Sequence, residues 1–581
     1  MSWARLLVFV AGLVPLWAVL FRDGLSAWWL LPPVLAFIAV ARAHERLIRR
    51  RERMERAVTF YERGLARLDH RWAGHGRSGE EFQDPDHPYA ADLDLFGTGS
   101  LYELLCAART RTGERTLAHW LGTPGEPEVV RERQQAVEEL RDALDLREEL
   151  AVLAAEGAGV DPDGLTAWGE SPPRLTERWP VVVAAVLAAV NLYTLFALFS
   201  WFANGTYAPG SLAARLLPVG FGPIVLAILA SMGFMALFLR RIAPVLGAVD
   251  RPYRELRTLS ATLARLERER FRSPRLSALR AALEAEGRPP SSRIGRLAVL
   301  IELKDAQRNM IFAKLGLSVL LPLQLAFALE RWRGASGHSV GRWVEALGEF
   351  EALSSLARFA YENPGLPFPE IVDGGPSIEA EGLEHPLIPA DRCVANDVRL
   401  GDGVQLLLIS GSNMSGKSTL MRTVGVNIAL ALAGAPIRGR RLRLSRLAIG
   451  ACMRVQDSLQ EGLSHFYAEI KRLKRVVDLG RGPLPLLFLL DEILHGTNSH
   501  DRRVGAEALI RGLVDRGAIG MVTTHDLALA RIADELSPQA ANVHFEDHLE
   551  DGKIVFDYRL REGVVQKSNA LELMRAVGLD V

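Results

Sequence analysis

A chain of 581 residues with 69 basic and 69 acidic side chains carries no net charge, which excludes a global basic field for holding nucleic acid. Only seven of the basic residues are lysines, an arginine bias that reads as genomic base composition; Cys106, Cys393 and Cys452 show no metal-ligand spacing and suit reduced thiols. The length allows about two to four domains, and 49% hydrophobic content beside 24% charge requires the apolar surplus to be concentrated somewhere.

It is concentrated in paired segments. Residues 4–21 and 27–41 flank a turn containing Arg22, Asp23 and Gly24, giving an expected first transmembrane hairpin over 1–41. A cleaved signal peptide is the competing reading of 4–21, weakened by the second apolar segment that follows at once. Residues 42–99 are expected to be a charged helix, to about residue 70, and then a linker marked by Pro85, Pro88 and the acidic stretch Asp84–Asp94. Helical periodicity returns in a first core part, 100–176, with Leu101, Leu104, Leu105, Leu117, Trp120 and Leu121 apolar.

A second hairpin is expected over 177–241. Its segments 180–203 and 216–239 are uncharged and of membrane-spanning length, about 20 residues each. Arginines 46, 49, 50, 51, 53 and 56 follow the first pair, Arg174 and Arg178 precede the second, and Arg240 and Arg241 end it. By the positive-inside rule both hairpins dip from the cytoplasm, which leaves both termini and all large polar regions there. The competing reading is a pair of buried core hairpins. A second core part, 242–376, opens with Val249, Tyr253, Leu256, Leu259, Leu263 and Leu266 in the narrow stripe of a long packed helix. Ile311–Leu329 reads as one buried helix beside the membrane, because Lys314 and Gln324 interrupt it. A Pro/Gly-rich break at Pro364–Pro376 precedes an α/β domain over 377–581.

The chemistry lies in that last domain. Gly411, Ser412, Asn413, Met414, Ser415, Gly416, Lys417, Ser418 and Thr419 fit the phosphate-loop spacing G-x-x-x-x-G-K-[ST]. They follow the apolar run Leu406–Ile409, a buried strand, and lead into a helical pattern from Thr419. Backbone N–H groups of such a loop and the following helix N-terminus point at phosphates. Lys417 is expected to neutralise them and Ser418 to offer a hydroxyl to Mg²⁺. A second strand, Leu486–Leu490, ends at Asp491 and Glu492, where Asp491 is placed to hold the metal and Glu492 to act as general base on water. A third, Ile519–Thr523, ends at Thr524 and His525, which is placed to sense the γ-phosphate. These residues point to binding and hydrolysis of ATP or GTP.

The phosphate loop with Asn413-Met414, the segment Gly462-Leu-Ser464-His-Phe466, the run Asp491–Ser499 with its Gly-Thr-Asn-Ser, and Thr523-Thr-His525 together resemble the ATPase domain of the MutS DNA mismatch repair family. Asn542–Phe545 and Lys567-Ser568 extend the likeness. Thr112–Leu121, Arg133-Gln134 and Glu351–Ala357 look like its core helices. The resemblance implies a P-loop NTPase of MutS type at the C-terminus behind an all-α helical core, with ATP and Mg²⁺ as ligands. It also implies a homodimer through the ATPase domains in which Ser464, shaped by Gly462 and Phe466, completes the partner's site, and in which Thr497–His500 faces the dimer seam. Nothing N-terminal resembles a mismatch-reading domain, and the chain stops soon after Ser568.

The reading is therefore a membrane-anchored MutS-like ATPase that repositions helical arms at the cytoplasmic membrane, with lipid around its multi-pass anchor and DNA as a candidate partner in mismatch repair or recombination. The alternatives are a transporter-type ATPase with fused spans and an ATP-switched membrane scaffold for a protein partner. Against the transporter, 457–469 lacks the Leu-Ser-Gly-Gly-Gln pattern, and the second hairpin offers few polar residues beyond Asn191, Tyr193 and Thr194.

Overall fold

The computed structural model describes residues 7, 10–15, 17, 31–154, 161–204, 222–284, 287–412, 414–453, 465–494, 498–525, 527–550 and 553–565. Most of the segment 4–21, residues 22–30 and the link 205–221 lie outside the described residues, and with them the turns of both expected hairpins.

From Leu31 to Leu68 the chain is one helix, so the apolar residues up to 41 and the charged stretch behind them share an axis. Ion pairs one turn apart, such as Glu45 with Arg49 at 2.5 Å and Glu55 with Arg51 at 2.7 Å, support its exposed part. Short helices follow at Leu101–Leu105, Arg111–Gly122, Pro127–Arg141, Leu144–Ala154 and Pro162–Glu170. Ser100, Thr110 and Asp161 cap three of them by accepting an N–H of the first turn.

Trp179–Asn204 and Gly222–Ala248 are the two helices, among the described residues, long and apolar enough to cross a membrane. They lie side by side, and their inner seam carries a polar tie: buried Asn191 donates from Nδ2 to Ser231 Oγ and to the Ser318 carbonyl, 2.8 Å each. Their outer faces leave Phe196, Leu226 and Leu237 exposed. Asp250–Leu266 continues behind them and buries Leu256, Leu259, Leu263 and Leu266. The spine of this half is the 42-residue helix Leu321–Glu362, against which Arg111–Gly122, Pro127–Arg141, Pro162–Glu170 and Gly222–Ala248 all pack.

Two expectations need correction here. Ile311–Leu329 is not one helix: Met310–Ser318 and the spine meet at 79°, with Leu320 between them in the left-handed region at φ 50°. Pro322 explains the break, since a proline has no N–H to donate and its ring clashes with the carbonyl four residues back, whereas it suits a helix's first turn. The stretch Asp84–Asp94 is not a free linker either. Tyr89, Ala90 and Leu93 are buried, the Pro88 carbonyl accepts from Ala451 N at 2.9 Å, and Asp92 is fully enclosed. Acidic and proline content suggested solvent, but Asp86, Asp92 and Asp94 each pair with an arginine far along the chain, Arg475, Arg472 and Arg422.

Among the described residues the C-terminal half holds ten strands: β1 Glu370–Val372, β2 Ile378–Leu383, β3 Asn396–Leu400, β4 Leu406–Ser410, β5 Arg441–Ser445, β6 Ala448–Cys452, β7 Leu486–Asp491, β8 Ile519–Thr524, β9 Ala540–Glu550 and β10 Lys553–Glu562. β1 forms inside the expected Pro/Gly break by pairing in parallel with β5. One sheet runs β1-β5-β2-β3; the other runs β10-β9-β4-β8-β7-β6 and is parallel except for the β9–β10 pair. β4 and β8 are buried along their whole length and β7 up to its last residue, the pattern of strands covered on both faces. Helix Lys417–Ala433 joins one face of the larger sheet to the helical half, and its Gly425 admits Leu93, whose Cδ2 would stand 2.6 Å from a Cβ there. Helices His465–Leu479, Ser499–Val514 and Leu527–Glu535 cover the other face.

Candidate nucleotide site

The site is built where three neighbouring parallel strands end. The register sets Ser410 beside Thr524 and Asp491 beside Thr523, so loops distant in sequence leave the sheet at one edge. Gly411, Ser412, Met414, Ser415 and Gly416 form the loop after β4, and the helix begins at Lys417, two residues before the pattern suggested. Asn413 lies outside the described residues. Gly416 has φ 104°, and a Cβ there would also meet the Tyr558 ring at 3.1 Å; this position has room for glycine alone. Met414 is exposed at φ 72°. Ser418 and Thr419 open the helix with their hydroxyl side chains lining the cleft.

Lys417 is buried, with Nζ donating to the carbonyls of Gly411 and Ser412 at 2.8 Å each and lying 3.6 Å from Glu492 Oε1. Burial pushes its ammonium below the usual lysine range, while Glu492 and then Asp491 pull it back. Glu492 Oε1 also lies 3.6 Å from His525 Nδ1, so the carboxylate stands between the lysine and a half-exposed histidine. The backbone at Glu492 is left-handed, φ 45°, as is Leu494 at φ 62°. Non-glycine residues in this region cost of order 1–3 kcal/mol and cluster where function fixes them.

Thr523, which the motif reading used only as a strand end, holds this turn. Its Oγ1 donates to Asp491 Oδ1 and accepts from Glu492 N at 3.0 Å. Buried Glu469, which ends the 457–469 segment and lies on helix His465–Leu479, accepts from Leu494 N and so ties that helix to the same turn. Asp92 brackets the segment from outside: it accepts from Met453 N at 2.8 Å on one side of 454–464 and from Arg472 on the other. Gly462 and Ser464 themselves lie outside the described residues, as do Thr497, Lys567 and Ser568. Phe466 is half-buried in the first turn of its helix, and His500 is exposed in the first turn of Ser499–Val514.

Opposite the carboxylates the cleft, of about 660 Å³, is walled by Val394, Asn396, Phe545 and Tyr558. The β9–β10 register shifts between Phe556 and Leu560, and Tyr558 sits in that irregularity at φ 54°. Asn396 bridges the gap, donating to the Tyr558 carbonyl at 3.0 Å and accepting from Leu560 N at 2.8 Å. An aromatic ring is thereby presented over the loop glycine. No local motif marks Tyr558; the positional signal is only an asparagine before β4 and an aromatic on the last strand.

The residues fit a magnesium nucleotide. Ser415 Oγ is buried without a protein partner among the described residues, a polar atom left for a ligand of the loop. Ser418 and Asp491 supply hard oxygen donors, and no group of three or more His, Cys, Asp or Glu that could cage a metal occurs among the described residues. Mg²⁺ bound by one or two protein oxygens together with phosphates and water has this donor set.

Comparison with known proteins agrees with this geometry. Residues 407–580 match MutS domain V. DNA mismatch repair protein MutS 2 of Halobacterium salinarum is 33% identical over 236 residues, 39% of this chain and 26% of its own length. Endonuclease MutS2 of Thermotoga neapolitana is 30% identical over 240 residues, 41% of this chain and 30% of its own. DNA mismatch repair protein MSH3 of Phaeosphaeria nodorum is 32% identical over 241 residues, 40% and 21% respectively. The chain thus spans less than a third of the length of these relatives. The matched stretch nevertheless holds nearly all of the six-stranded sheet and, of the cleft, the phosphate loop, Asp491, Glu492, His525, Phe545 and Tyr558, while Val394 and Asn396 precede it; over this C-terminal domain the chain is similar to the MutS family.

Proposed function

We propose that the chain is a membrane-anchored ATPase of MutS type, which hydrolyses ATP in a homodimer and uses the cycle to move the helical spine and its neighbours. The observation that carries the reading is the convergence of Lys417, Asp491, Glu492 and His525 on one cleft beneath an aromatic ring. Loop N–H groups and Lys417 bind and orient the β- and γ-phosphates, and Tyr558 faces the base. Glu492 takes the proton of a water whose oxygen attacks the γ-phosphorus, with ADP leaving along the loop. Ser418 and Asp491 would hold Mg²⁺, which would supply charge neutralisation to the phosphates. His525 keeps the water side polar and Thr523 fixes the two carboxylates.

The anchor is the pair Trp179–Asn204 and Gly222–Ala248, whose outer faces expose contiguous Val, Leu and Phe side chains that water would penalise. Cytoplasmic arginines at both ends orient it. Helix Leu31–Leu68 leads from the first apolar pair to the same side. Ser464 completes the partner's site, since γ-phosphate transfer gains from a donor on the face the phosphate loop leaves open. The relatives' names speak of DNA mismatch repair and endonuclease; for this chain DNA is proposed as the ligand of the arms.

ATP turnover of the purified full-length chain, without DNA and with duplex, mismatched and branched DNA, tests this. Stimulation by any DNA supports the DNA-directed reading. Turnover indifferent to all three turns it toward a protein-directed scaffold. Mixing Lys417→Ala with Ser464→Ala protomers should recover a fraction of wild-type activity that neither shows alone. Absence of recovery despite heterodimer formation rejects completion in trans.

A further inference from the structure

A second cavity, of about 290 Å³, lies in the helical half, away from the nucleotide cleft and independent of the reading given to it. Helix Leu31–Leu68, the turn Trp72–Arg77, the residues after Leu105, helix Leu144–Ala154 and the spine enclose it. Six arginines line it: Arg63, Arg67, Arg77, Arg109, Arg147 and Arg358. Two are spoken for. Arg67 is bidentate to Glu362, with Nε 2.8 Å from Oε2, and Arg77 lies 3.1 Å from Glu114. The cavity's own acids are also occupied. Glu103 accepts from the N–H groups of Gly76 and Gly99, at 2.8 and 2.7 Å, and Glu351 accepts from Thr110 N and Oγ1, at 3.0 and 2.6 Å.

That leaves an uncompensated cluster. Among the described residues no carboxylate stands within 4.0 Å of Arg63, Arg109 or Arg147, and Arg358 reaches only 3.9 Å from the Glu362 oxygen that Arg67 already holds. Arg147 and Arg358 are buried, each with one carbonyl contact, to Arg141 and Leu104, and Arg147 also lies over the Tyr361 ring at 4.8 Å. Nε of Arg109, Arg147 and Arg358, Nη1 of Arg147 and Oγ of Ser354 have no protein partner among the described residues. Burial depresses all three guanidinium groups, Arg358 to about 9, with Arg63 adding to Arg109's depression and Arg67 to Arg358's. Buried like charges with unused forked donors are the arrangement an anion stabilises. Phe60, Trp72, Leu150 and Phe350 give the wall an apolar side, beside the polar His75 and Thr262.

We propose that this cavity is a binding site for a small soluble phosphate monoester, its phosphoryl group held by Arg109, Arg147 and Arg358 and its apolar or planar body set against Phe60, Trp72 and Phe350. The volume is at the small end for ligand pockets, roughly 300 Å³, which rules in one phosphoryl group with a compact body. Arg63 and Arg67 lie more than twenty residues beyond the apolar start of their helix, roughly 30 Å or more at the helical rise, which removes the site from lipid headgroups. The occupant bridges helix Leu31–Leu68 to the spine, whose end leads directly into β1.

Phenyl phosphate is the probe, titrated calorimetrically into the full-length chain in detergent with the nucleotide site saturated by magnesium ADP. One molecule per chain should bind, inorganic phosphate more weakly and phenol not at all. Arg109→Gln and Arg147→Gln should each weaken binding at least tenfold while nucleotide affinity stays unchanged. If Arg147→Gln does not fold, Arg109→Gln and the rim variant Arg63→Gln decide. No binding at millimolar phenyl phosphate, or undiminished binding in the folded variants, overturns the proposal. Displacement of the probe by oligonucleotide more readily than by inorganic phosphate also overturns it, by making the cavity a nucleic-acid contact.

Discussion

The two halves of the molecule store chemical groups differently. In the larger sheet, Lys417, Asp491, Glu492 and His525 sit at or just beyond the ends of adjacent parallel strands, so each needs only its own strand and turn to reach the cleft. In the helical half, several buried polar groups are defined by partners hundreds of residues away: Asp92 with Arg472, Arg67 with Glu362, Arg358 with the Leu104 carbonyl. A strand-end site can be changed one residue at a time with local effect. A helical site fails as a pair, because the group left behind is buried and charged.

The sharpest break in this contrast is Glu492→Gln. The amide keeps the shape and cannot take the proton from water, so turnover should drop roughly 10²–10⁴-fold, the usual worth of general-base catalysis, with nucleotide affinity and melting unchanged. Single-turnover kinetics with a binding titration checks it, and a variant within tenfold of wild type removes Glu492 from the base role. On the helical side the matching change is Asp92→Ala. It removes the carboxylate that Arg472 and the Met453 N–H contact, and breaking a buried pair costs roughly 3–5 kcal/mol. A large fall in apparent melting temperature should therefore accompany it. If activity falls and melting does not, Asp92 acts on the 454–464 segment rather than on stability.

An intermediate effect is expected at Tyr558, which belongs to the strand side but depends on a distant partner, Asn396. Loss of ring stacking against a base is worth roughly 1–3 kcal/mol, so Tyr558→Ala should weaken ATP about tenfold or more and leave pyrophosphate binding alone, whereas Tyr558→Phe should match wild type. Equal loss for ATP and pyrophosphate would place the ring against the loop and not the base.

This contrast explains what could be read in advance. The phosphate loop, the carboxylates after β7 and His525 were legible because each lies in a contiguous motif flanked by an apolar strand. Thr523 was half legible: its place at a strand end was visible, its bridge to Asp491 needed the β7–β8 register. Tyr558 and Asn396 were not, since their roles come from an irregular stretch of β10. The stripe Val249–Leu266 showed the buried face of its helix, but Asp84–Asp94 misled, because composition counts acids and prolines and cannot see Arg472 or Met453 N. Pro322 had the information that ends a helix, outweighed by the apolar run around it.

The smallest effect is one of pH, and it belongs to the helical half. Glu351, on the spine beside the arginine-lined cavity, has its carboxyl pushed from 4.5 up to about 6, first by burial and also by Glu114, against the pull of the hydrogen bonds from Thr110. Arg109 and Arg358 face the same space. A carboxyl that holds its proton more tightly when folded leaves the stability flat below about pH 4.5, where both states are protonated. Between pH 4.5 and 6 the unfolded chain has released the proton and the folded one has not, so stability falls as pH rises; above pH 6 the cost is constant. The rise from 4.5 to about 6 corresponds to at most about 2 kcal/mol. Glu351→Gln keeps an oxygen to accept from Thr110 and cannot ionise, so its melting temperature should change less than wild type's between pH 4.5 and 6.5 and equal or exceed it at pH 7. Glu114, also raised by burial, leaves a residual slope in both. Measured without phosphate, an unchanged slope in Glu351→Gln would mean that its carboxyl ionises equally in both states and that the spine here is as solvated as the loops.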